Sequence, residues 1–342
     1  MPQDRKSDED RPVRTITDLA KLAGVSPGTV SRALAGNSLV NVKTREKIEA
    51  IAREHGFRPN QMSSRLRRQK TGVIGVIIPL GHEQKQQVSD TFFLTLLGYL
   101  ADELTEKGYD LMLRRVVPAS DEDWLDPFIG SGMIDGVIVV GQSDQFDHLE
   151  EVADGYRPMV VWGQHREGQR HCVVGSDNLL GGKLAMERLV AAGAKRLAFV
   201  GDINAPEMSA RYSGARQVAQ SFGLTLSELP AHLATSGMTA EIAGLMEEAV
   251  DKFDGLFAAT DLLALACLGE LRKLGRNVPE DMKIVGFDDL PIAQQTAPPL
   301  TTIRQDIAGG ARAIVQLLLR RIAGEETESI VMPPTLVVRG TA

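Results

Sequence analysis

The sequence predicts a small all-α helix–turn–helix head joined to a large α/β core of two doubly wound parallel-sheet subdomains. Three observations predict this. Residues 15–32, TITDLAKLAGVSPGTVSR, read as two short helices around a tight turn. From Thr71 onward, short β-rich apolar runs alternate with segments of helical periodicity. Charge divides at the same place: residues 1–70 hold 15 Lys/Arg against 8 Asp/Glu, and the remainder holds 23 against 37.

Length and composition fit that division. A chain of 342 residues, 43% of them hydrophobic, has room for more than one buried core. The net charge of −7 conceals a basic head on an acidic body, which suits docking one end on phosphate. No stretch approaches the ~18 uninterrupted apolar residues of a membrane span. The start, MPQDRKSDEDR, is charged throughout and shows no apolar signal-peptide core. Cys172 and Cys267 both lie in apolar runs and read as buried, reduced thiols of a cytoplasmic protein.

Taken in order, residues 1–13 read as a disordered leader, 14–58 as the head, 59–70 as a linker and 71–342 as the core. In the head, Thr17 is expected to cap the first helix, with Leu19, Ala20, Leu22 and Ala23 as its apolar stripe. Gly24 suits the left-handed position after it. Ser26 caps the second helix and Pro27 takes its first position. Val30, Ala33 and Leu34 share one side, which leaves Gly28, Thr29 and Arg32 outward. A short outward helix with a terminal Arg fits the DNA major groove, where Arg reads guanine. Asn41 is expected to cap a third helix over 42–55 that buries Ile48, Ile51 and Ala52 before Gly56 stops it. The segment after Pro59 is basic, with Leu66 alone among Arg65, Arg67, Arg68 and Lys70.

In the core, the strand candidates are 72–78, 109–113, 136–140, 159–162, 196–200, 255–259 and 282–287. Helical patterns cover 92–107, 178–192, 237–250 and 261–274. Continuous apolar runs between helices indicate parallel sheets covered on both faces, with a ligand cleft at their strand ends. The first strand is followed by GVIIPLGHEQ, which has no G-x-G-x-x-G pattern, so dinucleotide binding is unsupported. Residues at strand ends are candidates for a ligand. Arg211 offers a fixed fork of donors, and Asp261, Asp288 and Asp289 offer acceptors. Each Asp also has a structural reading as a turn or cap residue. Phe92, Phe93 and Trp162 can stack on a sugar face. Gln142 and Gln164 end strands and either line the same cleft or lie on the surface. No metal-spaced His cluster, Ser/His/Asp set or cofactor fingerprint stands out, so neither metal nor cofactor is expected.

TITDLAKLAGVSPGTVSRAL, followed by KTREKI, GFRPN and a short basic run, closely resembles the lactose-repressor/galactose-repressor (LacI/GalR) family. The resemblance spans nearly the whole chain and implies a transcription regulator, a repressor and not an enzyme. It implies Rossmann-like lobes of the periplasmic-binding-protein kind: lobe one about 71–173 and 303–325, lobe two about 174–301 and 328–342. It implies DNA contacts from Thr15, Ser26, Gly28, Thr29, Ser31, Arg32, Asn41 and Asn60. The basic linker becomes a hinge helix that orders on DNA, with Leu66 wedged into the minor groove and Arg67 beside it. The motifs R-x-x-G, T-D and G-F-D-D carry effector binding to Arg211, Asp261 and Asp288, with Phe92, Phe93 and Trp162 as aromatic partners. The partners implied are near-palindromic double-stranded operator DNA, a second copy of the chain in a homodimer, and a small sugar-type effector. No membrane is implied, and the place is the cytoplasm, on the nucleoid. The long polar loop PLGHEQKQQVSDTFF departs from the family's short one and forbids copying any relative's sugar. The competing readings are a purine-type corepressor on the same architecture, or a sugar-binding protein or glycosidase-like enzyme without a DNA role.

Overall fold

The computed structural model describes residues 13, 15–34, 37, 39–57, 70–80, 88–118, 124–142, 145–232 and 238–342. They fall into two compact units that divide after Thr71.

The first unit is the helical head. Helix α1 spans Ile16–Ala23, α2 Pro27–Leu34 and α3 Val42–Glu54. The cap of α1 is Thr15, not Thr17. Thr15 Oγ1 accepts the backbone N–H of Asp18, and the Asp18 carboxylate takes the N–H of Thr15 in return. This reciprocal pairing needs an acid three residues on. Thr15 has Asp18 there, whereas Thr17 has Ala20. Gly24 takes the left-handed position, φ 68°, as expected. Leu22 lies on the exposed side of α1, so the buried stripe is Leu19, Ala20 and Ala23. Ser26 Oγ accepts the N–H of Thr29, and Asn41 Oδ1 that of Lys43. The three helices enclose a small core around Leu19, Val30, Ile48 and Phe57.

The second unit holds two six-stranded sheets among the described residues. The first runs in the order β11-β5-β4-β3-β1-β2. Its strands are β1 Val73–Pro79, β2 Asp110–Val116, β3 Gly136–Val140, β4 Met159–Trp162, β5 Cys172–Ser176 and β11 Ile330–Met332. The second runs β12-β10-β9-β8-β6-β7. Its strands are β6 Leu197–Val200, β7 Leu226–Leu229, β8 Gly255–Ala258, β9 Lys283–Asp288, β10 Thr301–Arg304 and β12 Thr335–Val337. All pairings are parallel except β10 with β12. The central strands are buried along their length, which is why they read as unbroken apolar runs. Strand β2 differs: it is a largely exposed edge and continues past residue 113 to pair Val116 with Pro79.

The helices are α4 Thr91–Glu106, α5 Asp126–Ile129, α6 Phe146–Gly155, α7 Asn178–Ala191, α8 Pro206–Ser221, α9 Met238–Ala249, α10 Asp261–Lys273 and α11 Ile307–Ile322. The chain leaves the first lobe after Ser176, where α7 packs on the second sheet, and returns after Arg304, where α11 packs on β3, β4 and β5. The expectation that 328–342 belongs wholly to the second lobe needs correcting. Ile330 pairs with Val174 in the first sheet, whereas Leu336 pairs with Ile303 in the second. Strands of three residues carry no periodic signal that assigns them to a sheet.

Helices α7 and α8 cross closely because Gly182 and Gly214 let backbone meet backbone. A Cβ on Gly182 would lie 1.9 Å from the Arg211 carbonyl, and one on Gly214 2.0 Å from that of Leu179. Cys172 and Cys267 are free and buried. Among the described residues no helix is long and apolar enough to cross a membrane, and no cluster of His, Cys, Asp and Glu has metal-binding geometry.

Candidate nucleic-acid interface and effector cleft

In the head, the exposed surface of α2 carries Gly28 and Arg32, with Thr29 and Ser31 half-exposed. The hydroxyls of Ser26 and Thr29 are 2.9 Å apart and share a hydrogen bond. Arg32 Nε donates to the Gly28 carbonyl at 3.2 Å. The guanidinium thus lies along the helix, over the place where Gly28 has no side chain. Thr15, expected as a DNA contact, spends its hydroxyl on Asp18. Asn41 is exposed at the start of α3. Asn60, Leu66 and Arg67 lie outside the described residues.

In the second unit, the carboxyl ends of both sheets frame a cleft of about 900 Å³, its open mouth included. This is where parallel α/β sheets hold ligands. The first lobe contributes Leu80 after β1, Val140 of β3, Trp162 of β4 and Ser176 of β5. Phe92 stands at the start of α4, 5.9 Å from both Phe93 and Trp162, and the three rings form an aromatic corner. Phe93 and Trp162 are mostly core, with Phe92 the more open ring.

The second lobe contributes the polar wall. Arg211 is buried on α8, one turn beyond Glu207. Its Nε donates to Asn178 Oδ1 at 2.9 Å and its Nη1 to the Ala259 carbonyl at 2.6 Å. Its Cζ stacks 3.6 Å above the Phe287 ring. Burial lowers the Arg211 pKa, against the pull of Asp288, Glu207 and Asp261. Asp288 ends β9 and accepts from Gln305 Nε2 at 2.7 Å. Burial raises its carboxyl to about 7, although the Arg211 guanidinium works the other way. Asp288 has φ 122° and Asp289 φ 56°. Such backbone costs non-glycine residues about 1–3 kcal/mol each and concentrates at functional sites. The two residues part company here. Asp288 faces the cleft, while Asp289 takes Arg304 Nε at 2.7 Å and Arg339 Nη2 at 2.5 Å. They are no acid–base pair.

Asp261 does not line the cleft. Its carboxylate accepts from the Leu290 N–H at 2.8 Å and the Thr302 hydroxyl at 2.5 Å in the interior of the second lobe. Nor is it the cap of α10, which is Thr260; Asp261 is a structural residue that ties α10 to Leu290 and Thr302. Gln142 and Gln164 do not line the cleft either. Gln142 is fully buried and Gln164 half-buried, so neither is a surface amide. The sequence reading missed Ser176, Asn178, Glu207 and Gln305. Glu207 had a signal, one helical turn ahead of Arg211. The others sit where the chain passes between lobes, which no periodicity marks. Two polar atoms of the cleft, Ser176 Oγ and Glu207 Oε1, are buried without a protein partner.

A helix–turn–helix head followed by two parallel α/β lobes around a shared cleft defines the ligand-responsive DNA-binding regulators. Comparison with known proteins agrees. Residues 15–60 match the bacterial regulatory proteins of the lacI family, and residues 186–342 match the periplasmic-binding-protein-like domain. The transcriptional regulator CelR of Thermobifida fusca is 29% identical over 334 residues, covering 95% of this chain and 97% of that protein. The ribose operon repressor of Lactococcus lactis is 30% identical over 335 residues, 96% of this chain and 97% of that protein. A CelR–cellobiose complex has a TM-score of 0.66 at 29% identity, covering 97% of this chain and 100% of that one. A lac repressor dimer on operator, at 23% identity, shares the fold with a TM-score of 0.82 over 97% of this chain and 99% of that one. The chain belongs to the lacI family of bacterial regulatory proteins.

Proposed function

We propose that this chain is a homodimeric repressor whose grip on a near-palindromic operator is set by a small neutral sugar bound in the cleft. It acts as a regulator and not as an enzyme, and it works in the cytoplasm, where its DNA is. The observation that carries the effector half is the facing of Phe92 and Trp162 with Arg211, Asp288 and Glu207 across one cleft. An aromatic face suits the C–H surface of a pyranose, and the polar wall suits its hydroxyls. Ser176 Oγ calls for a hydrogen-bond partner and Glu207 Oε1 for a donor, which a ligand brings, because an unmet buried polar group is costly. Among the described lining residues, Asp90 and Glu207 outnumber Arg211 even without Asp288, whose carboxyl burial raises to about 7. That balance favours an uncharged sugar over a phosphorylated or carboxylated one. A sugar is also what the CelR complex and a LacI-family regulator from Enterococcus faecium, solved with ribose, contain.

Ligand binding that changes the angle between the lobes changes the spacing of two hinge segments, so sugar and operator affinities are coupled reciprocally. Ser26, Thr29 and Arg32 meet the DNA from α2. Asn60, Leu66 and Arg67 follow the family's pattern for the hinge. The test is fluorescence anisotropy of the intact protein on its own promoter and on random DNA at two salt concentrations. Random-DNA affinity falls steeply with salt and promoter affinity less so. Equal affinity for both DNAs at every salt concentration overturns the reading.

A further inference from the structure

A line of hydrogen bonds runs from the outside of the first lobe to the guanidinium of Arg211. Glu150 on α6 meets Nδ1 of His171 in a short hydrogen bond. Nε2 of His171 lies 2.9 Å from Nε2 of Gln142. Gln142 Oε1 accepts the backbone N–H of Gln164 at 3.1 Å. Gln164 Oε1 accepts from Asn178 Nδ2 at 2.8 Å, and Asn178 Oδ1 accepts from Arg211 Nε at 2.9 Å.

The chemistry of the line leaves each atom one role. A backbone N–H can only donate, so Gln142 must turn its carbonyl oxygen to Gln164 and its amide nitrogen to His171. His171 Nε2 must then accept, which places the ring proton on Nδ1, facing Glu150. Glu150 is itself fixed by the backbone N–H groups of Arg170 and His171. Gln164 follows β4 in the first lobe, whereas Asn178 opens α7 of the second. The Gln164–Asn178 bond therefore spans the crossover between lobes.

We propose that Gln142 and Gln164 are positioning residues of the cleft. They hold Asn178, and through it Arg211, facing the ligand, with the His171–Glu150 pair as anchor. Buried networks with every member satisfied fix a single arrangement, and groups behind a binding residue set its orientation. The importance of that orientation rests on the effector reading above, but the line of bonds does not.

The test uses the full-length protein without effector and follows hydrogen exchange at arginine Nε–H groups by nitrogen-15 NMR. The Arg211 resonance is identified by its loss in Arg211→Lys. Gln164→Ala, at a half-buried side chain, and Gln142→Met are each expected to speed Arg211 Nε–H exchange by about tenfold or more. Arg321 Nε–H, which donates to the Arg157 carbonyl at 2.6 Å, is expected to keep its wild-type rate. Should Gln142→Met not fold, Gln164→Ala decides alone. Unchanged exchange at Arg211, or equal acceleration at Arg211 and Arg321, overturns the proposal. Failure of every sugar to bind would remove the effector reading while leaving this result standing, so the two failures are distinguishable.

Discussion

Thr302 donates its hydroxyl hydrogen to Asp261 at 2.5 Å, and with the Leu290 N–H at 2.8 Å this turns Asp261 away from the cleft. Asp261 therefore holds β9, β10 and α10 together. Asp261→Ala strands two buried donors, each costing about 1–3 kcal/mol. The expected outcome is a lower urea midpoint, with sugar affinity retained by the folded protein. Loss of sugar affinity at unchanged stability would reverse the assignment.

Asp288 carries a pH signature. Its carboxyl titrates at about 7 in the fold, above its ordinary 3.8. The folded chain then holds a proton that the unfolded chain gives up, so this contribution to stability is full at low pH and is lost as pH rises through about 7. Asp261 is raised as well and acts in the same direction. Urea midpoints at pH 5 and pH 8 are expected to show a wild type less stable at the higher pH and a smaller difference in Asp288→Asn. Equal differences in both proteins would contradict burial of the Asp288 carboxyl as the cause.

Gly182 tests the crossing of α7 and α8. An added Cβ would meet the Arg211 backbone, which cannot rotate away as a side chain tip can. Gly182→Ala is expected to destabilise the fold by roughly 1–3 kcal/mol or more, as in an overpacked core, read as a lower melting temperature, and to weaken sugar binding by shifting Arg211. Gly244→Ala has open space around its new methyl group and is expected to stabilise α9 by about 0.5–1 kcal/mol. A neutral Gly182→Ala would mean that the helices part freely.

The head offers a matched pair. Thr15→Ala removes the cap of α1 and is expected to cost about 0.5–2 kcal/mol, read as faster amide exchange in that helix. Thr17→Ala, inside the helix and exposed, is expected to cost little. The opposite ranking would restore Thr17 as the cap.

How far the sequence alone reaches depends on the kind of signal. Strands buried on both faces, such as Gly136–Val140, are visible because burial demands an unbroken apolar run. Asp288 was legible as a polar residue at a strand end and Arg211 as one on the helix that follows a strand, and both line the cleft. Asp261 follows the same local pattern, yet its direction is fixed by Thr302, 41 residues away, which no local pattern records. Gln142 was equally hidden, because its partners Gln164 and His171 come from other strand ends. The three-residue strand Ile330–Met332 was misplaced because only pairing with Val174 assigns it.

The most direct measurement is operator affinity of the intact protein with and without saturating neutral sugar, for wild type and for Arg211→Lys. Coupled sites in regulators of this kind differ by about 5–150-fold between the two conditions. The account predicts a change of that order in the wild type and its loss in Arg211→Lys, because lysine cannot reproduce the bonds to Asn178 and Ala259 together. Operator affinity that no sugar alters in the wild type, or that sugar alters equally in both proteins, would contradict it.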